Sequence, residues 1–305
     1  MRMKRNLILL IAVLSVAIYS CKEQSSDTAK STAQTDLYTS TKGKGAPMII
    51  IHGGPGLSAA YIEDHLDPLS QDFQLIFYDQ RNSGRNQIDM DSTKMSLTGF
   101  LQDIDVVRQS YGYDKVHILA HSWGGLLGMQ YALHYPQHVD KLILANSIAP
   151  VSTINQKNDV RLANLFSADD LEARNRIIRS EAYKNQDAKA YEELMHIGFG
   201  YLFDNRNLIR ELRLDLPSDY APKSIQLGHL FKDFSSYDYT EALSTLEAPT
   251  LLISGIKDPG TPLALNALTA AMPKARIKGL DDAGHFPFIE QPQAFADEIK
   301  SFLTP

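Results

Sequence analysis

Short apolar segments separated by helical patterns constrain the fold of this chain more than any other feature of its sequence. The segments are rich in Ile, Leu and Val and are apolar on both faces, which is typical of parallel strands covered by helices on both sides of a sheet. We predict strands at Pro47–Ile51, Gln74–Tyr78, Val116–Ala120, Lys141–Ala145 and Pro249–Ser254, with a weaker strand at Ala275–Lys278. This alternation predicts an α/β fold with a doubly wound, mostly parallel sheet.

Candidate helices fill the intervals between the predicted strands. They lie at Leu97–Tyr111, Ser122–His134, Pro262–Ala271 and Pro292–Phe302. Residues 150–246 break the alternation, because they carry charged helical patterns and no buried strand. We therefore predict a core domain made of residues 42–149 and 247–305, with residues 150–246 inserted as a helical lid. A separate helical domain is the alternative, but the strand that begins at Pro249 must return to the same sheet.

The first twenty residues have the layout of an export signal. Basic residues precede an almost wholly apolar run at Leu7–Ile18, which is too short for a comfortable membrane span. Cys21, the only cysteine, follows as in the bacterial lipoprotein processing box, with Tyr19 where that box usually has a small residue. We predict a lipoprotein-type signal peptide at residues 1–20, lipid attachment at Cys21 and a polar, flexible tether at residues 21–41. An ordinary cleaved signal and an uncleaved anchor are the alternatives.

The N-terminal segment also predicts where the protein is located. A chain with this signal is expected to be exported, and a lipid is expected to hold it in a bacterial cell envelope. Whether the protein faces the periplasm or the cell surface stays open, because the sequence contains no signal that we can assign to either side.

The composition of the chain excludes several classes of function. Of its 305 residues, 44% are hydrophobic and 22% are charged, a balance that suits a folded protein with a large core. The formal net charge is −6 at pH 7 and no cluster of Lys and Arg occurs, which argues against a nucleic-acid partner. A single cysteine can form neither an internal disulfide nor a cysteine-based metal site, and we expect no metal and no cofactor.

A serine on a predicted strand-to-helix turn is the first candidate for chemistry. Ser122 lies in the segment AHSWGG, directly after the strand at Val116–Ala120. Such a turn lifts the hydroxyl clear of the sheet, and the first backbone N–H groups of the helix face the same point. Small residues are needed two positions to either side, a requirement that Gly124 meets fully and Ala120 meets with one extra methyl group. We predict Ser122 as a nucleophile, with an ordinary helix N-cap serine as the alternative.

A serine nucleophile needs a neighbouring imidazole as its base and a carboxylate that orients the imidazole. His285 lies in the loop DAGHFP before the last predicted helix, and Asp258 follows the strand at Pro249–Ser254. The carboxyl end of such a strand lies at the edge of the sheet where ligands bind, and the chain order Ser, Asp, His suits this turn. We predict His285 as the base and Asp258 as the acid. Asp281 and Asp282 compete for the acid role, but they lie on the loop of the histidine itself.

Two further loops follow predicted strands at the same edge. The segment HGGPG follows the first strand, and its glycines allow the backbone to approach a substrate carbonyl closely. We predict that the backbone N–H groups of Gly54 and Trp123 form an oxyanion hole, with a plain Gly/Pro turn as the alternative. The segment DQRNSGR follows the next strand, and we expect Asp79 and Arg81 in it to form structural ion pairs.

Taken together, these motifs resemble those of the proline iminopeptidase branch of the α/β-hydrolase fold. The resemblance rests on HGGPG at 52–56, DQRNSGR at 79–85, SWGG at 122–125, Asp258 and GHFP at 284–287. The family commonly has glycine at the position of Asn82. The resemblance implies a metal-free serine hydrolase that releases an N-terminal residue, often proline, from small peptides through an acyl-enzyme. It also implies lid carboxylates that hold the free amino group of the substrate.

The sequence leaves the substrate open. Neighbouring acids such as Glu192 and Glu193 more often form a solvated helix face than a ligand site, so we assign no lid residue to substrate binding. An aminopeptidase that acts on small peptides is the first hypothesis. A carboxylesterase or amidase for small acyl compounds needs the same three catalytic residues without amine-binding carboxylates. A non-catalytic binding protein on this scaffold would require the loss of one of the three. The membrane is expected as a partner only through the N-terminal lipid.

Overall fold

A computed structural model describes residues 37–304, apart from the side chains of Phe231 and Lys232. The predicted signal peptide, the lipid site at Cys21 and the tether before residue 37 lie outside the described residues. Within residues 37–304, no helix is long and apolar enough to cross a membrane.

The described residues form one seven-stranded sheet. Its strands are β1 at Thr39–Lys42, β2 at Ala46–Ile51, β3 at Phe73–Tyr78, β4 at Val116–His121, β5 at Val139–Ala145, β6 at Thr250–Gly255 and β7 at Arg276–Leu280. Their order across the sheet is β1-β3-β2-β4-β5-β6-β7, and all neighbours are parallel except β1 and β3. The predicted fold class, a mostly parallel α/β sheet, is confirmed.

The strand β1 contradicts the predicted end of the tether. The tether was assigned to residues 21–41, but the chain is already paired with β3 from Thr39, which lies opposite Tyr78. The sequence of β1 is TSTK, and a polar strand at the edge of a sheet lacks the apolar pattern by which buried strands are recognised. The prediction of a tether to residue 41 is therefore wrong for its last three residues.

Thirteen α-helices occur within residues 37–304. They are α1 at Ala60–Glu63, α2 at Asp67–Ser70, α3 at Leu97–Ser110, α4 at Trp123–His134, α5 at Ser152–Ala163, α6 at Ala168–Arg179, α7 at Glu181–Lys184, α8 at Ala188–Phe199, α9 at Tyr220–Leu227, α10 at Thr240–Ser244, α11 at Thr261–Ala271, α12 at Pro287–Glu290 and α13 at Pro292–Leu303. Helices α3, α4 and α11 cover one face of the sheet, and α1, α2 and α13 cover the other.

The continuous apolar runs of the strands follow from this two-sided cover. In β2, Met48 and Ile50 belong to one core, whereas Ile49 and Ile51 belong to the core on the opposite face. All four side chains are completely buried. Burial of a side chain of this size contributes about 1.5–3 kcal/mol, so neither face of the strand tolerates a polar residue. The sheet is thereby held firmly on both sides, and its carboxyl edge becomes a rigid support.

Helices α5 to α10 lie between β5 and β6, within the residues predicted as a lid. The two ends of this insertion meet in an antiparallel bridge between Val151 and Asp238. The N–H of Tyr239 donates to the carbonyl of Pro150 at 2.9 Å beside the bridge. The chain therefore leaves and re-enters the sheet region at nearly one point, which allows β6 to pair directly with β5.

Candidate active site

The side chains predicted to carry chemistry lie at the carboxyl edge of the sheet. Ser122 follows β4, Asp258 follows β6 and His285 follows β7. Because these strands are parallel, their carboxyl ends point to the same edge. All three residues line one cavity of about 430 Å³ between the sheet and the lid. The structure thus brings together the nucleophile, the acid and the base that the sequence predicts.

Ser122 has a strained backbone on the turn between β4 and α4. Its φ of 55° and ψ of −121° are rare for a residue other than glycine. The turn is held from both directions, because the N–H of Ser122 donates to Ala145 O at 3.0 Å and its carbonyl accepts from Gly125 N–H at 2.9 Å. A Cβ atom on Gly124 would lie 2.4 Å from the carbonyl oxygen of Ile51. The close approach of strand and helix that requires a small residue here is therefore confirmed.

The base and the acid form a direct hydrogen bond. Nδ1 of His285 lies 2.7 Å from Oδ2 of Asp258. A carboxylate can only accept, so Nδ1 carries a proton, and in the neutral imidazole Nε2 then keeps its lone pair. Burial acts to raise the pKa of Asp258, but the charge and the hydrogen bond of His285 outweigh it and hold this pKa below its ordinary value. Asp281 and Asp282 are exposed, and the structure does not pair them with the histidine.

Asn146 is a site residue that the sequence reasoning missed. Its Nδ2 donates to Oδ2 of Asp258 at 3.1 Å and to the carbonyl of Gly284 at 3.3 Å, and its Oδ1 accepts from Gly255 N–H at 3.1 Å. Its φ of 40° lies in the left-handed region, which asparagine tolerates better than most residues. Asn146 follows β5, the strand between β4 and β6, and that position is a signal that could have revealed it.

Of the two residues predicted for the oxyanion hole, Gly54 lines the cavity and Trp123 does not. Gly54 has a φ of 129°, which favours glycine. Trp123 is the first residue of α4, so its backbone N–H has no carbonyl partner within the helix. Its indole Nε1 donates to Oε1 of Gln80 at 3.1 Å, so this N–H already has an acceptor. The backbone N–H of Trp123 is therefore the group that remains for an oxyanion, and this role stays a prediction.

Asp79 and Arg81 form structural ion pairs as expected, but with different partners. Asp79 accepts from Nε of Arg85 at 2.7 Å and from the N–H of Ala59 at 2.8 Å. Arg81 pairs with Asp103, with its Nε and one terminal nitrogen both 2.7 Å from carboxylate oxygens. The hydrogen bond from Ala59 ties the loop after β3 to the segment that follows HGGPG, whereas the pair with Arg85 lies within that loop.

The lid covers the nucleophile with a mainly apolar wall. Apolar lining residues from the lid include Val160, Leu162, Phe166, Met195, Phe199 and Leu227. Asp159 on α5 interrupts this wall, and burial raises the pKa of its carboxyl group to about 6. Within the described part of the chain, neither a cation nor a hydrogen bond offsets that burial.

Asn158, which precedes Asp159 in α5, carries a buried acceptor without a partner in the described part of the chain. It is 8% exposed and also lines the cavity. Its Nδ2 donates to the carbonyl of Gly260 at 3.0 Å, whereas its buried Oδ1 has no hydrogen-bond partner among residues 37–304. Glu192 and Glu193, the acids left unassigned from the sequence, do not line the cavity. The described part of the lid therefore lines the cavity with one carboxylate, that of Asp159, and with the amide side chains of Asn155, Gln156 and Asn158.

The fold and the site together define the class of this protein. Residues 46–292 match the sequence family described as the alpha/beta hydrolase fold, and the chain therefore belongs to that family of hydrolases. Among curated proteins it is similar to a proline iminopeptidase of Heyndrickxia coagulans, with 30% identity over 276 residues that cover 86% of this chain and 92% of the relative. A proline iminopeptidase of Lactobacillus delbrueckii subsp. bulgaricus is 29% identical over 275 residues, which cover 85% and 90% of the two chains.

A solved structure shows the same architecture. An esterase from Exiguobacterium antarcticum is 22% identical, with a TM-score of 0.64 over 87% of this chain and 94% of that chain. At this identity the likeness supports the fold alone. The resemblance to proline iminopeptidases that the motifs predict is confirmed by the curated relatives.

Proposed function

We propose that this protein is a serine aminopeptidase that releases N-terminal residues from short peptides through an acyl-enzyme. Ser122 Oγ attacks the carbonyl carbon of the first residue while His285 accepts the hydroxyl proton and Asp258 holds the imidazole in place. His285 returns the proton to the leaving amine as the peptide bond breaks. Water, activated by the same imidazole, then hydrolyses the serine ester. The backbone N–H groups of Gly54 and Trp123 stabilise the oxyanion in both steps.

One feature of the cavity carries the choice of an aminopeptidase. Among the described lid residues, Asp159 supplies the only carboxylate that lines the cavity, and neither a cation nor a hydrogen bond offsets its burial. The ammonium group of a peptide N-terminus supplies charged N–H donors for this carboxylate, and a hydrogen bond to a charged group contributes about 1.5–3 kcal/mol. A simple ester has no such donor and leaves this partly buried carboxylate unpaired, which is unfavourable. The arrangement therefore favours a substrate with a free amino group.

A panel of matched substrates tests this function. Prolyl and alanyl p-nitroanilides with free amino groups are compared with their N-acetyl forms and with a short p-nitrophenyl ester. We expect kcat/KM for the free amines to exceed that of the N-acetyl forms by about 10-fold or more, because one charged contact is lost on acetylation. Ser122→Ala should abolish turnover of every substrate.

Two variants separate the aminopeptidase from the carboxylesterase alternative. Asp159→Asn should lower kcat/KM for the free amines about 10- to 100-fold and leave ester hydrolysis near the native rate. Glu193→Gln, which changes an exposed lid acid outside the cavity, serves as the control and should change neither. Ester hydrolysis without turnover of any free amine would show that the carboxylesterase reading is correct.

We also propose that the protein is exported and anchored to a bacterial membrane through a lipid on Cys21. The basic residues, the apolar run at Leu7–Ile18 and the position of the only cysteine support this proposal. Native protein expressed in a bacterium should fractionate with membranes and enter the detergent phase, whereas Cys21→Ser should lose the lipid-dependent detergent partition. Equal partition of the native protein and the variant would rule the lipid anchor out.

A further inference from the structure

A buried path of hydrogen bonds joins the two loops that flank Ser122. The N–H of Gly53 donates to Oη of Tyr61 at 2.6 Å, and that oxygen lies 2.7 Å from Nδ1 of His121. Nε2 of His121 lies 2.8 Å from the carbonyl oxygen of His285. Tyr61 and His121 are each 1% exposed, so bulk water does not compete for these contacts. The path runs from the backbone of the oxyanion loop to the backbone of the base.

The proton positions along this path follow from the chemistry of its groups. The carbonyl of His285 can only accept, so Nε2 of His121 carries a proton. In a neutral imidazole Nδ1 is then an acceptor, and the hydroxyl of Tyr61 donates to it while accepting from Gly53. Burial, followed by the charge of His285, holds the pKa of His121 well below its ordinary value. Burial raises the pKa of Tyr61, so both groups stay neutral and each donor has an acceptor.

Each end of the path belongs to a part of the catalytic machinery. Gly53 precedes Gly54, whose N–H is proposed to bind the oxyanion, and the other end is the backbone of His285. The loops pack tightly around the nucleophile, because a Cβ atom on Gly53 would lie 3.0 Å from Cβ of Ser122 and 2.8 Å from Oη of Tyr61. A shift of about 1 Å at a reacting centre can lower a rate about 100-fold.

We propose that Tyr61 and His121 form a positioning bridge, defined as the path of hydrogen bonds from Gly53 to His285. The bridge sets the oxyanion donor and the imidazole at fixed positions around Ser122. Its two side chains are positioning residues, since they act through the groups at either end. The proposal rests on the acyl-transfer chemistry proposed for Ser122, and it is independent of the amine-binding role proposed for Asp159.

Steady-state kinetics of two variants test the bridge. Tyr61→Phe removes the central hydroxyl, and His121→Gln keeps an N–H donor near the position of Nε2 but has no acceptor at the position of Nδ1, to which Tyr61 donates. With the best substrate of the panel, we expect kcat to fall about 10- to 100-fold and KM to change less than about 2-fold, because oxyanion stabilisation acts on the transition state. The inhibition constant of phenylboronic acid, which forms a tetrahedral adduct with the serine, should rise in parallel with the loss of kcat. The double variant should lose little more than the single ones, because all disrupt one path.

A buried tyrosine elsewhere provides the matched control. Tyr131 is completely buried, and its hydroxyl donates to Asp105 at 3.0 Å outside the cavity. Tyr131→Phe should lower the Tm about as much as Tyr61→Phe does, while its kcat and its inhibition by phenylboronic acid stay at the native values. A structural role alone would make Tyr61→Phe behave in the same way, and that result would overturn the bridge. An increase in KM with native kcat would overturn it as well.

A second variant and a labelling experiment distinguish failure of the bridge from failure of the acyl-transfer chemistry. If Tyr61→Phe does not fold, His121→Gln carries the same kinetic test. The native protein is also treated with a fluorophosphonate, which labels an activated serine. Absence of labelling at Ser122 would refute the acyl-transfer chemistry and the bridge with it. Normal labelling of the native protein with native kcat in both variants refutes the bridge alone.

Discussion

Replacement of Asp159 by asparagine should stabilise the folded protein while it weakens aminopeptidase activity. Burial raises the pKa of Asp159 in the folded state to about 6, from an ordinary value of 3.8. The unfolded chain therefore ionises this group at a lower pH than the folded protein does. Stability is lost as the pH rises from about 4 through about 6, and above that range the loss is constant. The difference in pKa corresponds to at most about 3 kcal/mol of unfolding free energy.

The partly exposed side chain is screened by solvent, so we expect a gain of about 1–3 kcal/mol for Asp159→Asn at pH 7–8. For a chain of this size that gain corresponds to an increase in Tm of about 2–8 °C. Urea unfolding of the native protein and the variant is measured at intervals from pH 4 to pH 8 without substrate. The difference in unfolding free energy between Asp159→Asn and the native protein should be near zero at pH 4. It should increase up to about pH 6 and then stay constant.

Glu193→Gln is the control for this experiment, since it makes the same acid-to-amide change at an exposed lid residue outside the cavity. A variant at Asp159 that is less stable than the native protein at pH 8 would refute the uncompensated burial of the carboxylate. A difference of equal size at pH 4 and pH 8 would refute it too, because such a difference does not come from ionisation. Since no substrate is present, neither result depends on the proposed function.

Three further predictions concern the support of the site. Asn146→Ala removes a donor to the carboxylate of Asp258, and kcat should fall about 10-fold with a native circular dichroism spectrum; an unchanged kcat would show that the other donors suffice. Gly124→Ala places a Cβ atom 2.4 Å from the carbonyl oxygen of Ile51 and should lower stability by about 1–3 kcal/mol in urea unfolding. An unchanged midpoint of urea unfolding would mean that β2 and α4 can move apart without loss of stability. Glu290 accepts backbone N–H groups from both the loop of the catalytic histidine and the lid, so Glu290→Gln should speed amide exchange in the lid segment it contacts. Exchange at the native rate there would exclude a clamping role.

The sheet and the nucleophile turn could be predicted from the sequence because their signals are local. Parallel strands covered on both faces are short apolar runs whatever the rest of the chain does. Ser122 lies where such a run changes into a helix, so its place could be predicted with the strand. The strand β1 could not be predicted in this way, because its sequence TSTK contains no apolar pattern. It forms a strand only by pairing with β3.

Asn146 and Asp159 depend on contacts between distant segments. Asparagine after a strand usually suits a turn, and only the position of β5 beside β6 brings Asn146 within reach of Asp258. Asp159 lies in the polar stretch NQKND of α5, which has the composition of a solvated helix face. Only the folded lid places it in the cavity wall. The class of reaction could therefore be predicted from the sequence, whereas the residue that we propose to select the substrate could not.

The lid contacts the base through its backbone, and this limits how substrate choice can be changed. The N–H of His285 donates to the carbonyl of Leu202 at 2.7 Å, and a Cβ atom on Gly284 would lie 2.1 Å from the same oxygen. Exchange of a whole lid segment would therefore move the base and alter the cavity wall together. A substitution at a lining side chain such as Asp159 alters the wall and leaves the contact with the base in place. Changes of specificity made by side-chain substitution in α5 should accordingly preserve kcat better than exchanges of the lid backbone do.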